Sequence, residues 1–231
     1  MRCNLIVRAA LAALLAFTLG LAACDDDELT YQEDNAISLQ AFVPKGESEK
    51  EPALEGRWIA EAEATGNEEQ EPDGFIQITA RKDDGYDLSY YEYKKTEQEG
   101  VEEELKAVYL CRAIRLGKYL FLDIKSNWQP QTGFWAPVHG IIRVELEGDE
   151  LTLASITQTW LAQQIEEKRV KLPYERVQDK TILLTANKEE LREFIEDASW
   201  IDEAFDRGPK FHRQPVEEHP ATAGGGASEG R

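Results

Sequence analysis

Seven strand-like stretches follow one another along the middle of this chain, and the short distances between them constrain the fold most. They are Arg57–Ala64, Gly74–Arg81, Tyr86–Tyr93, Leu105–Ile114, Lys118–Lys125, Val138–Leu146 and Glu150–Gln158. The first alternates Trp58, Ala60, Ala62 and Ala64 with Arg57, Glu61 and Glu63, the period-two signature of a half-buried strand. Asp83-Asp84-Gly85, Leu116-Gly117 and Glu147-Gly148-Asp149 stand between neighbouring stretches, and tight pairs of this kind close hairpins. Parallel neighbours need crossovers of roughly a dozen residues or more. The spacing therefore predicts an antiparallel meander.

Downstream the pattern changes. Trp160–Lys168 reads as a helix with Trp160, Leu161 and Ile165 on one side. Asn187–Phe205 reads as a second, with Asn187 as cap, Glu190 in capping-box position, and Leu191, Phe194, Ile195, Ala198, Ile201 and Phe205 at helical spacing. Between them Thr181–Thr185 reads as an eighth strand. Eight antiparallel strands leave two bare edges unless the sheet closes, so the expected fold is mainly β, a barrel of about eight strands with two helices near the C-terminus.

Residues 24–53 are acidic and polar and read as a tether, whereas 208–231 carry five Gly and three Pro and read as a disordered tail. The barrel domain is thus expected over 54–207. With 31% charged residues and a formal charge of −19, the chain offers nothing to offset phosphate repulsion, so nucleic acid is not an expected partner.

The N-terminus carries an address. Arg2 and Arg8 precede fifteen uncharged, mostly apolar residues, Ala9–Ala23. That run is short for a spanning helix, which needs about twenty, and suits a signal segment. It ends Leu21-Ala22-Ala23-Cys24 and switches at once to Asp25-Asp26-Asp27-Glu28. The tetrapeptide resembles the lipobox of bacterial lipoprotein signal peptides. The resemblance implies cleavage after Ala23, diacylglycerol on the Cys24 thiol and acylation of the new amino group, with the domain in the periplasm and the membrane as a partner. In that family an Asp after the lipidated Cys resembles an inner-membrane retention signal, so Asp25 favours the inner membrane. Loss of residues 1–23 removes two Arg and no acid, moving the formal charge from −19 to −21. Cys3 leaves with the leader and Cys24 is acylated, so Cys111 has no intramolecular disulfide partner.

Gly56-Arg57-Trp58 opens the first strand. It is similar to the Gly-x-Trp of lipocalins and related calycin barrels, in which the Trp plugs the closed end and a late-strand Arg stacks on it. The resemblance extends as a pattern over about 54–205. It makes Trp58 a buried barrel-end residue and Arg176 the candidate for the stacking Arg. A lipocalin has a single helix after the barrel, where this chain shows two with a strand between.

Catalytic signatures are missing: no Gly-x-Ser-x-Gly, Cys-x-x-Cys, His-Glu-x-x-His or Gly-rich phosphate loop occurs. Cys111 and His139 would be a nucleophile pair only if brought together, and a mid-strand Cys is more often a small buried hydrophobe. Asp123, in Phe-Leu-Asp-Ile-Lys, is the acid whose apolar neighbours would desolvate it; an outward position paired to a cation is the alternative. His212 and His219 fall in or beside the tail. The acidic run after Cys24 lacks the spacing and glycine of a calcium loop. No enzyme activity, metal or cofactor is expected.

Binding is a better prospect. Residues 127–137, Asn-Trp-Gln-Pro-Gln-Thr-Gly-Phe-Trp-Ala-Pro, form a connection far longer than a hairpin loop, and its Trp128, Phe134 and Trp135 are candidate ligand or partner contacts. The same aromatics could instead fold back as barrel core. Two functions are consistent with all of this. One is a lipid-anchored lipocalin-like barrel holding a small or apolar ligand without covalent chemistry. The other is an assembly subunit docking another envelope protein through 127–137.

Overall fold

A computed structural model describes residues 35–61, 74–95, 101–126, 138–177 and 181–215. Eleven strands and two helices occur among them. The strands are β1 (Ile37–Ser38), β2 (Gly56–Ala60), β3 (Gly74–Ala80), β4 (Tyr86–Lys95), β5 (Val101–Leu116), β6 (Tyr119–Ser126), β7 (His139–Glu147), β8 (Glu150–Ile156), β9 (Tyr174–Val177), β10 (Thr181–Leu184) and β11 (Phe205–Arg213). The helices are α1 (Gln158–Glu166) and α2 (Lys188–Ala198).

Eight strands close a barrel in the order β2-β3-β4-β5-β6-β7-β8-β11 and back to β2, every neighbour antiparallel. The seven sequence-read stretches of the meander supply the first seven. The eighth is not 181–185: β10 lies outside the barrel and pairs in parallel with β1 and antiparallel with β9. The barrel is closed by β11, in residues the sequence assigns to the end of a helix and the start of a tail. Gly208 and Pro209 suggest a breaker, yet they sit where the β8–β11 register shifts between Arg207 and Lys210. A bulge is the place in a strand that tolerates proline.

The helix limits shift for a related reason. In α2, Asn187 Oδ1 accepts the Glu190 N–H at 3.0 Å and the Glu190 carboxylate accepts the Asn187 N–H at 3.1 Å, a full capping box. The helix stops at Ala198 rather than Phe205, and a short turn at Asp202–Ala204 hands the chain to β11. Phe205 matches helical spacing because it fills the same core as Phe194, but it does so from a strand. The first helix begins two residues earlier than read, at Gln158, with Thr157 Oγ1 accepting the Trp160 N–H at 3.1 Å.

The stretch read as a tether is partly built in. From Asn35 to Glu55 the chain runs as an arm along the barrel wall, burying Ala36, Phe42, Val43 and Leu54. β7 and β8 part company beyond Ile142–Ser155, and the arm fills the gap: Ile37 and Ser38 pair with Gly140 and His139, while the Ala36 N–H donates to the Ile156 carbonyl at 2.7 Å. The arm then meets the β3–β4 turn, where Asp84 Oδ2 accepts the Gly46 and Ser48 N–H groups at 2.9 and 3.3 Å. The described domain therefore extends past 54–207 at both ends.

Two cores follow from strand alternation. Trp58, Ile76, Ile78, Tyr86, Leu88, Tyr90, Tyr109, Cys111, Leu120, Leu122, Ile142, Val144, Leu151, Leu153 and Phe211 point into the barrel. Phe121, Ile141, Ala154 and Ile156 point out of the same wall and pack under β10, the helices and the arm, through Leu161, Ile182, Leu191, Phe194 and Ile195. Arg143 crosses this outer core fully buried, its guanidinium 4.2 Å from the Phe205 ring centre and 4.8 Å from that of Tyr119, with Nη2 donating to Glu145 at 2.7 Å.

Candidate functional site

The barrel has two unlike ends. The β3–β4, β5–β6 and β7–β8 turns, tight and two to five residues long, share one end with Gly56, the first residue of β2. The β2–β3, β4–β5 and β6–β7 connections leave the other.

The tight-turn end is sealed. Trp58 is fully buried and its indole N–H donates to the Leu54 carbonyl at 2.9 Å. Arg213, the last residue of β11, lays its guanidinium 4.1 Å from the Trp58 ring centre. Its two Nη groups donate to the carbonyls of Ala53 and Glu55, and Nε lies 3.3 Å from Asp149. Cation, indole and the turn at Pro52–Leu54 thus make one plug. Gly56 is part of it: its φ is +143°, and a Cβ there would stand 2.6 Å from Arg213 Nη1. The Gly and the Trp of Gly56-Arg57-Trp58 serve one contact, room for the cation and a face for it to lie on. Arg176 does not fill the stacking role; it is exposed on β9. What hid Arg213 was its place beyond Gly208-Pro209, although Phe205 and Phe211 flank those breakers as strand residues would.

The loop end is built differently. Alternation directs Gly74, Tyr90, Ala107, Ile124, Gly140 and Ser155 inward there, mostly small side chains above the aromatic and aliphatic filling. Ala60, Ala107 and Ile124 pack on the barrel core while staying partly exposed. Trp128, Phe134 and Trp135 belong to the connection between Ser126 and Val138, which leaves from this end; they lie outside the described residues, as do Cys24, Asp25, His219 and the rest of 216–231. His212 lies on β11, with Nε2 3.7 Å from Glu61.

A polar pair is buried in the outer wall. Asp123 and His139 point outward from β6 and β7, yet their side chains are only 3% and 10% exposed. His139 Nδ1 is 2.5 Å from Asp123 Oδ1, and Asp123 Oδ2 accepts the Val43 N–H of the arm at 2.9 Å. Asp123 is thus paired to a cationisable group, as an outward acid would be, but under the arm rather than in solvent. Cys111 points the other way, into the barrel, and so does not meet His139. Burial, then the charges of Asp123 and Asp87, push its thiol well above the usual range, so it is no ready nucleophile.

Comparison with protein-family models, curated proteins and solved structures finds no significant match to this chain.

Proposed function

We propose that this is a lipid-anchored cell-envelope protein, held in the membrane through acylated Cys24, whose lipocalin-like barrel binds a small apolar ligand at its loop end. The observation that carries the reading is the plug of Gly56, Trp58 and Arg213. It closes one end of an eight-stranded up-and-down barrel, so a ligand of the barrel would enter from the other. Sites of this kind sit in barrel mouths and are mostly apolar, and the partly exposed Ala60, Ala107 and Ile124 at the loop end fit that description. The chemistry is recognition: Asp123 and His139 are committed to each other and to the arm, and Cys111 is buried as a thiol.

A second reading has its own observation in favour. Trp58, Tyr86, Tyr90 and Tyr109 fill the barrel with large side chains, as suits a solid scaffold that docks a partner through its loops. Native mass spectrometry of the protein extracted from its own membrane separates the two. A retained small molecule supports the ligand-binding reading; a co-purifying envelope protein on a ligand-free barrel overturns it in favour of docking. The same spectrum tests the anchor, because an unmodified Cys24 or a mature N-terminus elsewhere refutes acylation.

A further inference from the structure

The tight-turn end carries a second constellation, built around the β5–β6 turn. Four cation–ring contacts link the outer core to solvent in an alternating series, Phe205, Arg143, Tyr119, Lys118 and Trp200. Beyond the Arg143 contacts given above, Lys118 Nζ lies 4.7 Å from the Tyr119 ring centre and 5.1 Å from that of Trp200. Phe205 and Arg143 are buried and Tyr119 is half-buried, whereas Trp200 is 63% exposed. The series therefore ends on an aromatic ring open to water. That ring is held in place. The Ser199 carbonyl accepts from Arg143 Nη1 at 3.4 Å, and the Ile201 N–H donates to the Ala198 carbonyl at 2.9 Å, so the backbone is fixed on both sides of Trp200. Trp200 Cζ2 rests against the turn, 3.7 Å from where a Gly117 Cβ would stand. A pre-positioned Trp offers a large contact area and loses little freedom on binding, which is why such residues dominate interfaces.

The charges around the ring select its partner. Glu196 Oε1 stands 3.8 Å from the same Gly117 Cβ position, beside the indole. Asp197, Asp202 and Glu203 are exposed close by in the chain. Among the described residues Glu196, Asp197 and Glu203 form no ion pair, and Asp202 forms only long ones, 3.8 Å to Arg143 and 3.9 Å to Arg207. Arg207 is itself turned to Glu145 at 3.2 Å. An exposed indole rimmed by carboxylates is matched by a guanidinium, which stacks on the ring and hydrogen-bonds a carboxylate in one plane. Lipid phosphates would meet the same carboxylates as like charge. A second copy of a chain carrying −19 meets them so too.

We propose that Trp200 and the carboxylates around it dock an arginine-bearing segment of another protein, with the guanidinium on the open part of the indole beside Glu196. The bound arginine adds one more cation to the alternating series. This surface stands at the opposite end of the barrel from the loop-end site, and it depends neither on that site nor on the anchor.

The probe is a fluorescein-labelled Arg-Ala repeat peptide, titrated by anisotropy at physiological ionic strength into the full chain held in a neutral detergent. Saturable binding is expected, weakened about tenfold in Trp200→Ala and in Glu196→Lys. Glu175→Lys makes the same change of charge on β9, outside this constellation, and should weaken binding by less than about twofold. All three residues are exposed, so thermal melts should match that of the natural protein. Glu196→Lys carries the comparison even where Trp200→Ala loses stability. No saturable binding to the natural protein, undiminished binding to folded Trp200→Ala, or equal losses in Glu196→Lys and Glu175→Lys overturns the site. Dimers in sedimentation that Trp200→Ala abolishes assign the face to a second copy and overturn it as well.

Discussion

Arg213→Ala removes the cation from the plug, and its cost can be worked from the contacts. The guanidinium lies 4.1 Å from the Trp58 ring centre and donates to two backbone carbonyls, those of Ala53 and Glu55. Ala53 and Glu55 are exposed, so water replaces part of what their carbonyls lose. Two hydrogen bonds of ordinary net value and a partly exposed cation–π contact come to about 2–4 kcal/mol. Asp149 adds little, because its side chain is 81% exposed. Gly56→Ala acts on the same contact from the other side, since its Cβ would stand 2.6 Å from Arg213 Nη1. The two changes should therefore be non-additive. Gly56→Ala costs less when Arg213 is already Ala, where only the backbone strain at φ +143° remains, about 1–3 kcal/mol. Urea denaturation of the four proteins, followed by far-ultraviolet circular dichroism, measures the cycle. A loss below about 1 kcal/mol for Arg213→Ala, or additivity within about 0.5 kcal/mol, would refute the plug.

Trp58→Ala, which empties a fully buried site, should destabilise by about 3–5 kcal/mol in the same assay. His139→Ala leaves the Asp123 carboxylate buried with the Val43 N–H as its remaining hydrogen-bond donor; a loss of about 3–5 kcal/mol is expected, and faster amide exchange at Val43 should accompany it. Glu47 ties the arm to α2, and hydrogen bonds from Lys188 and then Arg192 hold its carboxyl below its ordinary value of 4.5. A depressed carboxyl contributes its stability above the unfolded value and loses it as pH falls through the folded one. Proteolysis of the arm should therefore quicken below pH 4.5, and Glu47→Gln should flatten that dependence; an unchanged profile in the variant argues against the link.

The parts of the fold legible in the sequence are those governed by local chemistry. Alternation and turn residues mark β2 to β8, because the inward face of each strand is largely apolar and the β3–β4, β5–β6 and β7–β8 reversals are tight turns whose residues are diagnostic. Asp84 and Gly85 have φ of +83° and +94°, and a Cβ at Gly85 would sit 2.3 Å from the Cys111 carbonyl oxygen. The α2 capping box is local in the same way. Long-range pairing is not. β11 pairs with β8 and β2 across a bulge that accommodates Pro209, and locally those residues look like a terminus. The arm reads as a linker because its buried groups, Phe42, Val43 and Leu54, are few and widely spaced, and become core only against the barrel. In the plug, the Gly and Trp are visible as a triplet, whereas their partner stands 155 residues after Trp58 and needs the closed barrel to be seen. Asp123 stands out as an acid among apolar neighbours, but the backbone amide it holds belongs to a segment with no strand or helix signal.

The most direct test of the binding reading is a titration of a fluorescent fatty-acyl probe into the full-length protein and into Ala107→Phe. Ala107 packs on the barrel core at the loop end and is partly exposed, so a phenyl ring fills that end without touching the plug. The account predicts saturable binding to the natural protein, competition by unlabelled apolar ligands, and loss of binding in Ala107→Phe with its melting temperature retained. No binding to the natural protein, or undiminished binding to a stably folded Ala107→Phe, contradicts a ligand site at the loop end.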